Sequence, residues 1–243
     1  MKRNKESRLP ALTGRRRRKG LVSAVVLAAG SSTRMGSDKM AAVFAGSTVI
    51  AHTLRALQES PEIGELVLVV REGAEKAALA GASGCGKLRR VVKGGDSRTE
   101  SAWLGVMACD PAAELILIHD GARPLVTQEV IAAAVKGARE YGAAVPVIPV
   151  TDTVKVGKDG FAAETPDRST LFAAQTPQGF RAELIKAALK DALDRKLSLS
   201  DDCAAVERLG MHVKLVEGDV RNRKITLPSD LKLAETLWEE MHP

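Results

Sequence analysis

Short apolar runs alternate with longer stretches of helical periodicity from residue 21 to the end of the chain. The apolar runs predict strands at Leu21–Leu27, Leu66–Val70, Leu88–Val92, Leu115–His119, Ala143–Pro149 and Val213–Glu217. Helical patterns lie near residues 47–59, 97–109, 127–141, 181–194, 201–209 and 228–240. Several strands are almost continuously apolar, which indicates helices on both faces of a sheet, and the alternation implies right-handed βαβ crossovers. The pattern predicts an α/β fold, a Rossmann-like three-layer sandwich with a mainly parallel sheet.

Two helix starts carry their own signals. Ser97-Arg-Thr-Glu100 is a capping box, which places the start of a helix directly after the Gly94-Gly95 turn. Thr127 is a suitable N-cap for the following helix.

Residues 150–178 interrupt the alternation. Polar residues, a Gly-Lys-Asp-Gly turn at 157–160 and two prolines replace the helix expected after a strand. This composition predicts an extended β-arm that leaves the compact domain. Such an arm serves an oligomer interface or carries residues to a neighbouring site, whereas the alternative is a plain surface loop.

The positive charge of the chain is concentrated at its N-terminus. The formal net charge is +6, but residues 1–20 contribute +8 and residues 21–243 contribute −2. A nucleic-acid-binding domain would carry its positive charge on the folded face and would use more than seven aromatic residues for stacking. We therefore expect a basic disordered tail over 1–20, with an organellar transit peptide as the alternative, and no nucleic-acid substrate.

The chain has no sequence signal for a membrane or for secretion. No apolar run approaches the length of a membrane span, and no apolar segment follows the basic N-terminus. Three widely spaced cysteines, with no C-x-x-C pair, argue against a disulfide framework and against a zinc site. These features predict a cytoplasmic protein.

The strongest local signal follows the first strand. Residues 25–36 run from a buried strand into a loop of small residues, where backbone N–H groups can approach a polyphosphate. Arg34 and Lys39 could neutralise that polyphosphate, and a plain turn with surface cations is the alternative. Residues 81–88 nearly match a phosphate-binding P-loop, but Leu88 replaces the required Ser or Thr and a strand follows, so we predict a surface turn.

A second chemical signal lies just beyond the fourth predicted strand. Asp120 could hold Mg²⁺ against nucleotide phosphates, since hard cations prefer carboxylate oxygens. The alternative is a salt bridge between Asp120 and Arg123 within a turn. His119 is interpreted as structural. Asp201 and Asp202 could supply another carboxylate but stay unassigned, because acidic residues are common at helix starts.

Six segments occur in the order known from one enzyme family. They are Ala28-Ala29-Gly30-x-x-x-Arg34-Met35, Gly94-Gly95-Asp96-x-Arg98-x-x-Ser101, His119-Asp120-Gly121-Ala122-Arg123-Pro124, Asp152-Thr153-Val154-Lys155, Gln175-Thr176-Pro177-Gln178 and Asn222-x-Lys224-Ile225-Thr226-x-Pro228-x-Asp230. Together they resemble the 2-C-methyl-D-erythritol 4-phosphate cytidylyltransferases of the nucleotidyltransferase superfamily. The match spans residues 21–240.

The resemblance implies a reaction and a set of site residues. The reaction transfers CMP from CTP to 2-C-methyl-D-erythritol 4-phosphate and releases pyrophosphate, in the non-mevalonate route to isoprenoids. The implied catalytic residues are Arg34 and Lys39; the CTP-binding residues are Ala28, Ala29, Gly30, Gly95, Asp96 and Ser101; the ligand of Mg²⁺, or of another divalent cation, is Asp120; and the acceptor-binding residues are Arg123, Thr153, Arg168 and Lys224. The resemblance also implies that residues 21–243 form one nucleotidyltransferase domain and that the arm builds a homodimer.

The chain departs from the family pattern in its first loop. Ser32 stands where the family usually has a second glycine, and Asp38 stands where it usually has proline before the lysine. Cytidylyltransferases for other polyol phosphates, such as ribitol 5-phosphate, share several of the segments. A non-catalytic nucleotide-binding regulator is a further alternative, although such a protein would be free to lose Asp120 and the acceptor cations.

Overall fold

The computed structural model describes residues 20–30, Met35 and residues 38–242. Its strands are β1 (Leu21–Ala28), β2 (Val43–Phe44), β3 (Ser47–Thr48), β4 (Glu65–Val70), β5 (Leu88–Lys93), β6 (Ala113–Asp120), β7 (Ala143–Pro149), β8 (Val156–Lys158), β9 (Phe161–Glu164), β10 (Phe172–Ala174), β11 (Gln178–Arg181) and β12 (Lys214–Glu217). Its helices are α1 (Val49–Glu59), α2 (Glu75–Gly81), α3 (Arg98–Met107), α4 (Gln128–Tyr141), α5 (Ala182–Asp194), α6 (Cys203–Arg208) and α7 (Pro228–Met241), with a 3-10 turn at Arg168–Thr170.

Eight strands form the central sheet. Six of them are hydrogen-bonded in the order β5-β4-β1-β6-β11-β7. The short strand β10 pairs antiparallel with the end of β7, and β12 pairs parallel with β7. β1 is parallel to β4 and β6, and β4 is parallel to β5, whereas β11 runs antiparallel to both of its neighbours. The predicted mainly parallel sheet is confirmed. The carboxyl ends of β1, β4, β5 and β6 therefore meet at one edge, where open α/β sheets bind ligands.

Alternate side chains of the central strands enter two separate cores. On one face, Ala24 and Val26 of β1 belong to a buried cluster that includes residues of α1 and α4. On the other face, Val25 and Leu27 belong to a cluster that includes residues of α3, α5 and α6. Burial on both faces explains why these strands have almost no polar residues, and it confirms the three-layer sandwich.

The last helix has a small core of its own. α7 packs on the β2–β3 hairpin, where the rings of Phe44 and Trp238 both lie against His52, with centroids 4.3 and 4.2 Å from it. Ile225, two residues before the N-cap of α7, is 1% exposed in the same cluster. This packing fixes the segment that precedes α7, which carries Lys224.

The predicted elements lie close to their observed positions. All six strands and six helices are present, with ends within two residues of the prediction. Ser97 accepts a hydrogen bond from the backbone N–H of Glu100 at 3.0 Å and Thr127 caps α4, as expected. Residues 82–87 form turns that lead into β5, so the segment that resembles a P-loop is a turn. The sequence pattern missed α2, β11 and the short strands β2 and β3.

The segment predicted as an arm leaves the sheet after β7. β8 and β9 form an antiparallel hairpin whose side chains are all exposed, and Phe161 is 80% exposed. The chain is back at the main sheet by the end of β10. There the Gln175 N–H donates to the Pro146 carbonyl of β7, and Gln178 then begins β11. The free hairpin is therefore shorter than the predicted range of 150–178.

The predicted basic tail falls almost wholly on residues 1–19, which lie outside the described part of the chain. Among the described helices, none is long and apolar enough to cross a membrane.

The close approach of α3 to the sheet gives a stability prediction. A Cβ atom at Gly105 would lie 2.4 Å from Cγ1 of Val25 and 2.7 Å from Cγ2 of Val69, both of which are fully buried. Overpacking of this kind costs about 1–3 kcal/mol, whereas alanine gains about 1 kcal/mol in helix propensity. We expect Gly105→Ala to lower the free energy of unfolding, measured by urea titration.

The matched control is Gly157→Ala in β8, where an added Cβ meets no atom within 4 Å. That variant should stay within about 0.5 kcal/mol of the wild type. Equal stability of the two variants would contradict the packing described for α3.

Candidate active site

Asp120 ends the central strand β6 with a side chain that is 12% exposed. Its backbone N–H donates to Oγ1 of Thr176 at 3.0 Å. Thr176 belongs to the link between β10 and β11, the segment that returns the chain to the sheet. The Gln-Thr-Pro-Gln segment thus fixes the residue that the sequence singled out as a metal ligand.

Three cationic side chains surround the Asp120 carboxylate. Nζ of Lys224 lies 2.9 Å from Oδ2, Nε of Arg123 lies 3.5 Å from Oδ2, and Nη2 of Arg98 lies 4.0 Å from Oδ1. Burial alone would raise the pKa of Asp120, but Lys224 and then Arg98 outweigh it and lower the pKa to about 2. The carboxylate is therefore ionised throughout the physiological range.

Lys224 reaches Asp120 because its loop is held from two sides. The Ile225 N–H donates to the Ala122 carbonyl at 2.8 Å. Nδ2 of Asn222 donates to the Thr176 carbonyl at 2.8 Å. These bonds give a structural reason for the Asn-x-Lys-Ile spacing, since Asn222 and Ile225 fix the backbone on either side of Lys224.

Arg123 connects the Asp120 turn to the same loop. Its Nη1 donates to the Asn222 carbonyl at 2.7 Å, and burial lowers its pKa, with Asp120 acting in the opposite direction. The turn salt bridge considered from the sequence is therefore present, alongside the two other cations. This geometry supports a positioning role for Arg123, whereas direct contact with an acceptor stays a prediction.

His119 is structural, as predicted. It is fully buried, with Nε2 3.1 Å from the Arg123 carbonyl and Nδ1 3.0 Å from Oγ1 of Thr176. A carbonyl only accepts, so Nε2 carries the proton and the Thr176 hydroxyl donates to Nδ1. Burial lowers the pKa of His119 to about 4, which keeps the ring neutral.

Arg98 makes an ion pair that the sequence analysis did not assign. Its guanidinium binds Asp202 through two hydrogen bonds, Nη1 to Oδ1 at 2.9 Å and Nη2 to Oδ2 at 2.7 Å. Oε1 of Gln178 accepts from the backbone N–H groups of Asp202 and Cys203, at 3.1 and 3.2 Å. The last residue of the Gln-Thr-Pro-Gln segment therefore positions the start of α6.

The residues predicted to bind the nucleotide meet beside Asp120. The Gly121 N–H donates to the Leu27 carbonyl at 2.9 Å, which joins the ends of β6 and β1. A Cβ at Gly94 would lie 2.6 Å from that of Ala29 and 2.8 Å from Oγ of Ser101, so only glycine allows this approach.

The other predicted nucleotide ligands border the same place. The Gly95 N–H donates to Ser101 Oγ at 3.1 Å. Gly30 and Asp96 are exposed beside the buried Ala28 and Ser101. The six predicted CTP ligands therefore line neighbouring loops at the carboxyl edge of the sheet.

Of the two predicted catalytic cations, Lys39 belongs to the described part of the chain. Arg34 lies outside the described residues. Lys39 lies in the turn after Asp38, whose carboxylate accepts from the Met40 N–H at 3.0 Å and pairs with Arg71 at the end of β4. Asp38, which replaces the usual proline, thus fixes the turn that carries Lys39.

Thr153 and Arg168 lie on the arm. Both are exposed, and Nη1 of Arg168 donates to the Thr151 carbonyl at 2.7 Å. Within the described part of the chain, no hydrogen bond or ion pair connects either residue to Asp120 or Lys224. One copy of the chain therefore brings Arg123 and Lys224 to Asp120 but leaves the other two predicted acceptor ligands apart.

Comparisons with known proteins show the family to which this chain belongs. The family model for 2-C-methyl-D-erythritol 4-phosphate cytidylyltransferase matches residues 22–240. The chain belongs to this family. It is therefore an enzyme, a cytidylyltransferase of the nucleotidyltransferase class, as the six segments predicted.

Individual relatives match over nearly their whole length. The cytidylyltransferase of Caldanaerobacter subterraneus is 44% identical over 221 residues, covering 88% of this chain and 97% of the relative. That of Desulforamulus reducens is 42% identical, covering 89% and 95%. Among solved structures, 4-diphosphocytidyl-2C-methyl-D-erythritol synthase from Anaerococcus prevotii has a TM-score of 0.82 at 30% identity, covering 91% of this chain and 100% of that one.

The surroundings of Asp120 decide how this cytidylyltransferase could hold a metal. Among the described residues, no group of three or more His, Cys, Asp or Glu side chains is arranged to bind an ion. Mg²⁺ does not need such a group, because it keeps several waters and often takes one carboxylate plus substrate phosphates. Nζ of Lys224 lies 2.9 Å from Oδ2 of Asp120, whereas the ion-pair contact given for Oδ1 among the described side chains is Nη2 of Arg98 at 4.0 Å. A carboxylate oxygen with no short ion pair to a described residue fits this mode of binding.

The neutral state of His119 gives a pH prediction. The folded protein does not protonate His119 until about pH 4, whereas the unfolded chain does so near 6.5. Protons therefore favour the unfolded state as the pH falls from about 6.5 to about 4, and this destabilisation reaches about 3 kcal/mol at 1.36 kcal/mol per pKa unit. We expect the stability advantage of the wild type over His119→Gln, measured by urea unfolding, to be full at pH 7.5 and much smaller at pH 4.5.

The comparison with His119→Gln removes the contributions of all other titrating groups, which both proteins share. A stability difference that stays constant between pH 7.5 and pH 4.5 would show that His119 is not buried as a neutral ring.

Proposed function

We propose that this protein transfers CMP from CTP to 2-C-methyl-D-erythritol 4-phosphate, giving 4-diphosphocytidyl-2-C-methyl-D-erythritol and pyrophosphate. The observation that carries the proposal is an ionised carboxylate, Asp120, which lies among three cations beside the loops of Ala29 and Gly95. Such a site can bind two phosphate-bearing substrates and stabilise the negative charge that develops during phosphoryl transfer. Membership of the cytidylyltransferase family supports the identity of both substrates.

The nucleotide would bind at the carboxyl edge of the sheet. Small residues at Ala28, Ala29, Gly30 and Gly95 leave room for the ligand against the backbone, while Asp96 and Ser101 supply polar groups for the cytidine. Lys39, with Arg34, would stabilise the charge that develops on the α-phosphate. Their roles follow from the family segments and from the placement of Lys39 after β1.

The reaction needs no general base from the protein. The second pKa of a phosphate monoester is about 6, so the acceptor phosphate is largely a dianion at neutral pH. One of its oxygens attacks the α-phosphorus of CTP in line, a new P–O bond forms, and the bond to the bridging oxygen of pyrophosphate breaks. The task of the protein is to position the two phosphates and to stabilise their charge.

A divalent cation such as Mg²⁺ fits this task. Asp120 would hold it through Oδ1, which lies 4.0 Å from Nη2 of Arg98, together with the phosphates of CTP. When bound, the cation supplies positive charge next to the phosphoryl oxygens. Lys224 and Arg98 keep the carboxylate ionised, and the contacts of Lys224 and Arg123 with Oδ2 orient it.

The acceptor site would be completed by a second copy of the chain. Lys224 and Arg123 lie beside Asp120, whereas Thr153 and Arg168 are exposed on the arm. The arm also exposes apolar side chains, with Val156 at 44% and Phe161 at 80%. A homodimer in which each arm crosses to the other subunit would bury these residues and bring Arg168 to the acceptor. Cytoplasmic placement stays a prediction from the sequence.

Substrate identity is tested by pyrophosphate release. The assay pairs each of the four nucleoside triphosphates with a panel of polyol phosphates that includes ribitol 5-phosphate. We expect turnover with CTP and 2-C-methyl-D-erythritol 4-phosphate, and a preference for another acceptor would overturn the proposed substrate.

The role of Asp120 is tested by Asp120→Asn, which keeps the shape of the side chain and removes its charge. We expect kcat to fall by about 10²-fold or more, since the variant loses its hold on the cation. Steady-state pyrophosphate release at saturating Mg²⁺ measures this change. Asp194→Asn, which removes an exposed carboxylate paired with Lys190, should leave kcat unchanged. Near-normal turnover of Asp120→Asn would reduce Asp120 to a turn residue.

The acceptor site is tested by Arg168→Ala and Lys224→Ala. Each variant loses a cation assigned to the acceptor phosphate, so its KM for the polyol phosphate should rise about tenfold, or about 1.4 kcal/mol. Affinity for CTP, measured by calorimetry, should stay nearly constant. An unchanged acceptor KM in both variants would remove the assignment.

Mixing Arg168→Ala with Arg34→Ala tests whether the arm acts across the dimer. A mixed dimer would contain one intact composite site, so some activity should return. A lack of rescue after verified subunit exchange would place each site within one chain.

A further inference from the structure

Arg98 lies between the carboxylates of Asp202 and Asp120 and is much closer to that of Asp202. It makes two short hydrogen bonds to Asp202, at 2.9 and 2.7 Å, while its Nη2 stays 4.0 Å from Oδ1 of Asp120. Asp202 is 1% exposed and comes from the start of α6, and Arg98 is the first residue of α3. The pair therefore joins two helices directly beside the carboxylate assigned to the metal.

Asp202 is held in position by Gln178 as well as by Arg98. Oε1 of Gln178 accepts from the N–H groups of both Asp202 and Cys203. Nε2 of the same glutamine donates to Oδ2 of Asp201 at 2.7 Å. Because Gln178 is itself 1% exposed in β11, the sheet holds Asp202 and Asp202 in turn holds the guanidinium.

Arg98 lies close enough to Oδ1 of Asp120 to compete with a metal ion there. An arginine without another partner pairs with a carboxylate at about 2.7–2.9 Å, and such bonds are roughly twice as strong as neutral ones. Arg98 would need to move by little more than 1 Å to make this bond, given its separation of 4.0 Å from Oδ1. An arginine bonded there would compete with a metal ion for Oδ1, since the contact of Lys224 at 2.9 Å is to the other oxygen, Oδ2.

We propose that Asp202 is a positioning residue that holds Arg98 away from Asp120 and so keeps Oδ1 available to a divalent cation. The inference rests on the proposed role of Asp120, and it assigns to Asp202 a function beyond helix packing. Arg98 then adds positive charge near the site without occupying the metal ligand.

The test measures binding of Mn²⁺ directly, by electron paramagnetic resonance of the free ion, in the presence of a non-hydrolysable CTP analogue. Asp202→Asn removes the charge that holds Arg98, and we expect the dissociation constant for Mn²⁺ to rise about tenfold. Adding Arg98→Gln to that variant removes the competitor, so the double variant should return to within about threefold of the wild type. A purely structural role of the pair predicts no such recovery.

Asp191→Asn is the matched control, because it breaks an Asp–Arg pair with Arg195 near the end of α5. It should bind Mn²⁺ like the wild type. Wild-type affinity in Asp202→Asn, or a double variant as weak as Asp202→Asn, would overturn the inference. If Asp202→Asn does not fold, the double variant alone decides, since more than tenfold weaker binding there contradicts the competition.

Asp120→Asn separates this inference from the proposed function. If Mn²⁺ binding survives in Asp120→Asn, the assignment of Asp120 to the metal is wrong. If Asp120→Asn abolishes binding and Asp202→Asn does not weaken it, only the role of Asp202 fails.

Discussion

A carboxylate buried at the end of a central strand is stable only where positive charge and hydrogen bonds replace water, and this requirement organises the catalytic edge of the molecule. Asp120 receives cations from three separate parts of the chain: Lys224 before α7, Arg123 in its own turn and Arg98 at the start of α3. The backbone must therefore hold each cationic side chain next to Asp120. Many of the hydrogen bonds around the site fix the backbone segments that carry these side chains.

The residues from the end of β10 to the start of β11 make several of these positioning hydrogen bonds. Gln175 bonds the loop at Asp219, Thr176 bonds Asp120 and His119, and Gln178 holds the start of α6. Because Gln178 pairs with Ile118 of β6, the link that precedes it runs past the end of β6, where Asp120 lies. The hydrogen bonds of this segment thus support the site.

The pattern of apolar residues was sufficient to predict the sandwich, because strands buried on both faces appear in the sequence as nearly continuous apolar runs. It missed β11, since Gln178 and Gly179 are polar or small, although both are buried. For the site, strand ends and the family segments identified Asp120, Lys224 and the loops around Gly95 and Ser101. The pairing of Arg98 with Asp202 was not predicted, because the two residues are 104 positions apart and meet only through folding. The motif at 94–101 contained Arg98, and its presence there was the available signal.

The central proposal is that Asp120, an ionised carboxylate with Oδ2 paired to Lys224, binds a metal through Oδ1. Anomalous diffraction from crystals of the protein with Mn²⁺ and a non-hydrolysable CTP analogue tests it most directly. We predict an anomalous peak within bonding distance of Oδ1 of Asp120, with Nζ of Lys224 still bonded to Oδ2. A peak on the nucleotide phosphates alone, out of reach of Asp120, would contradict the account.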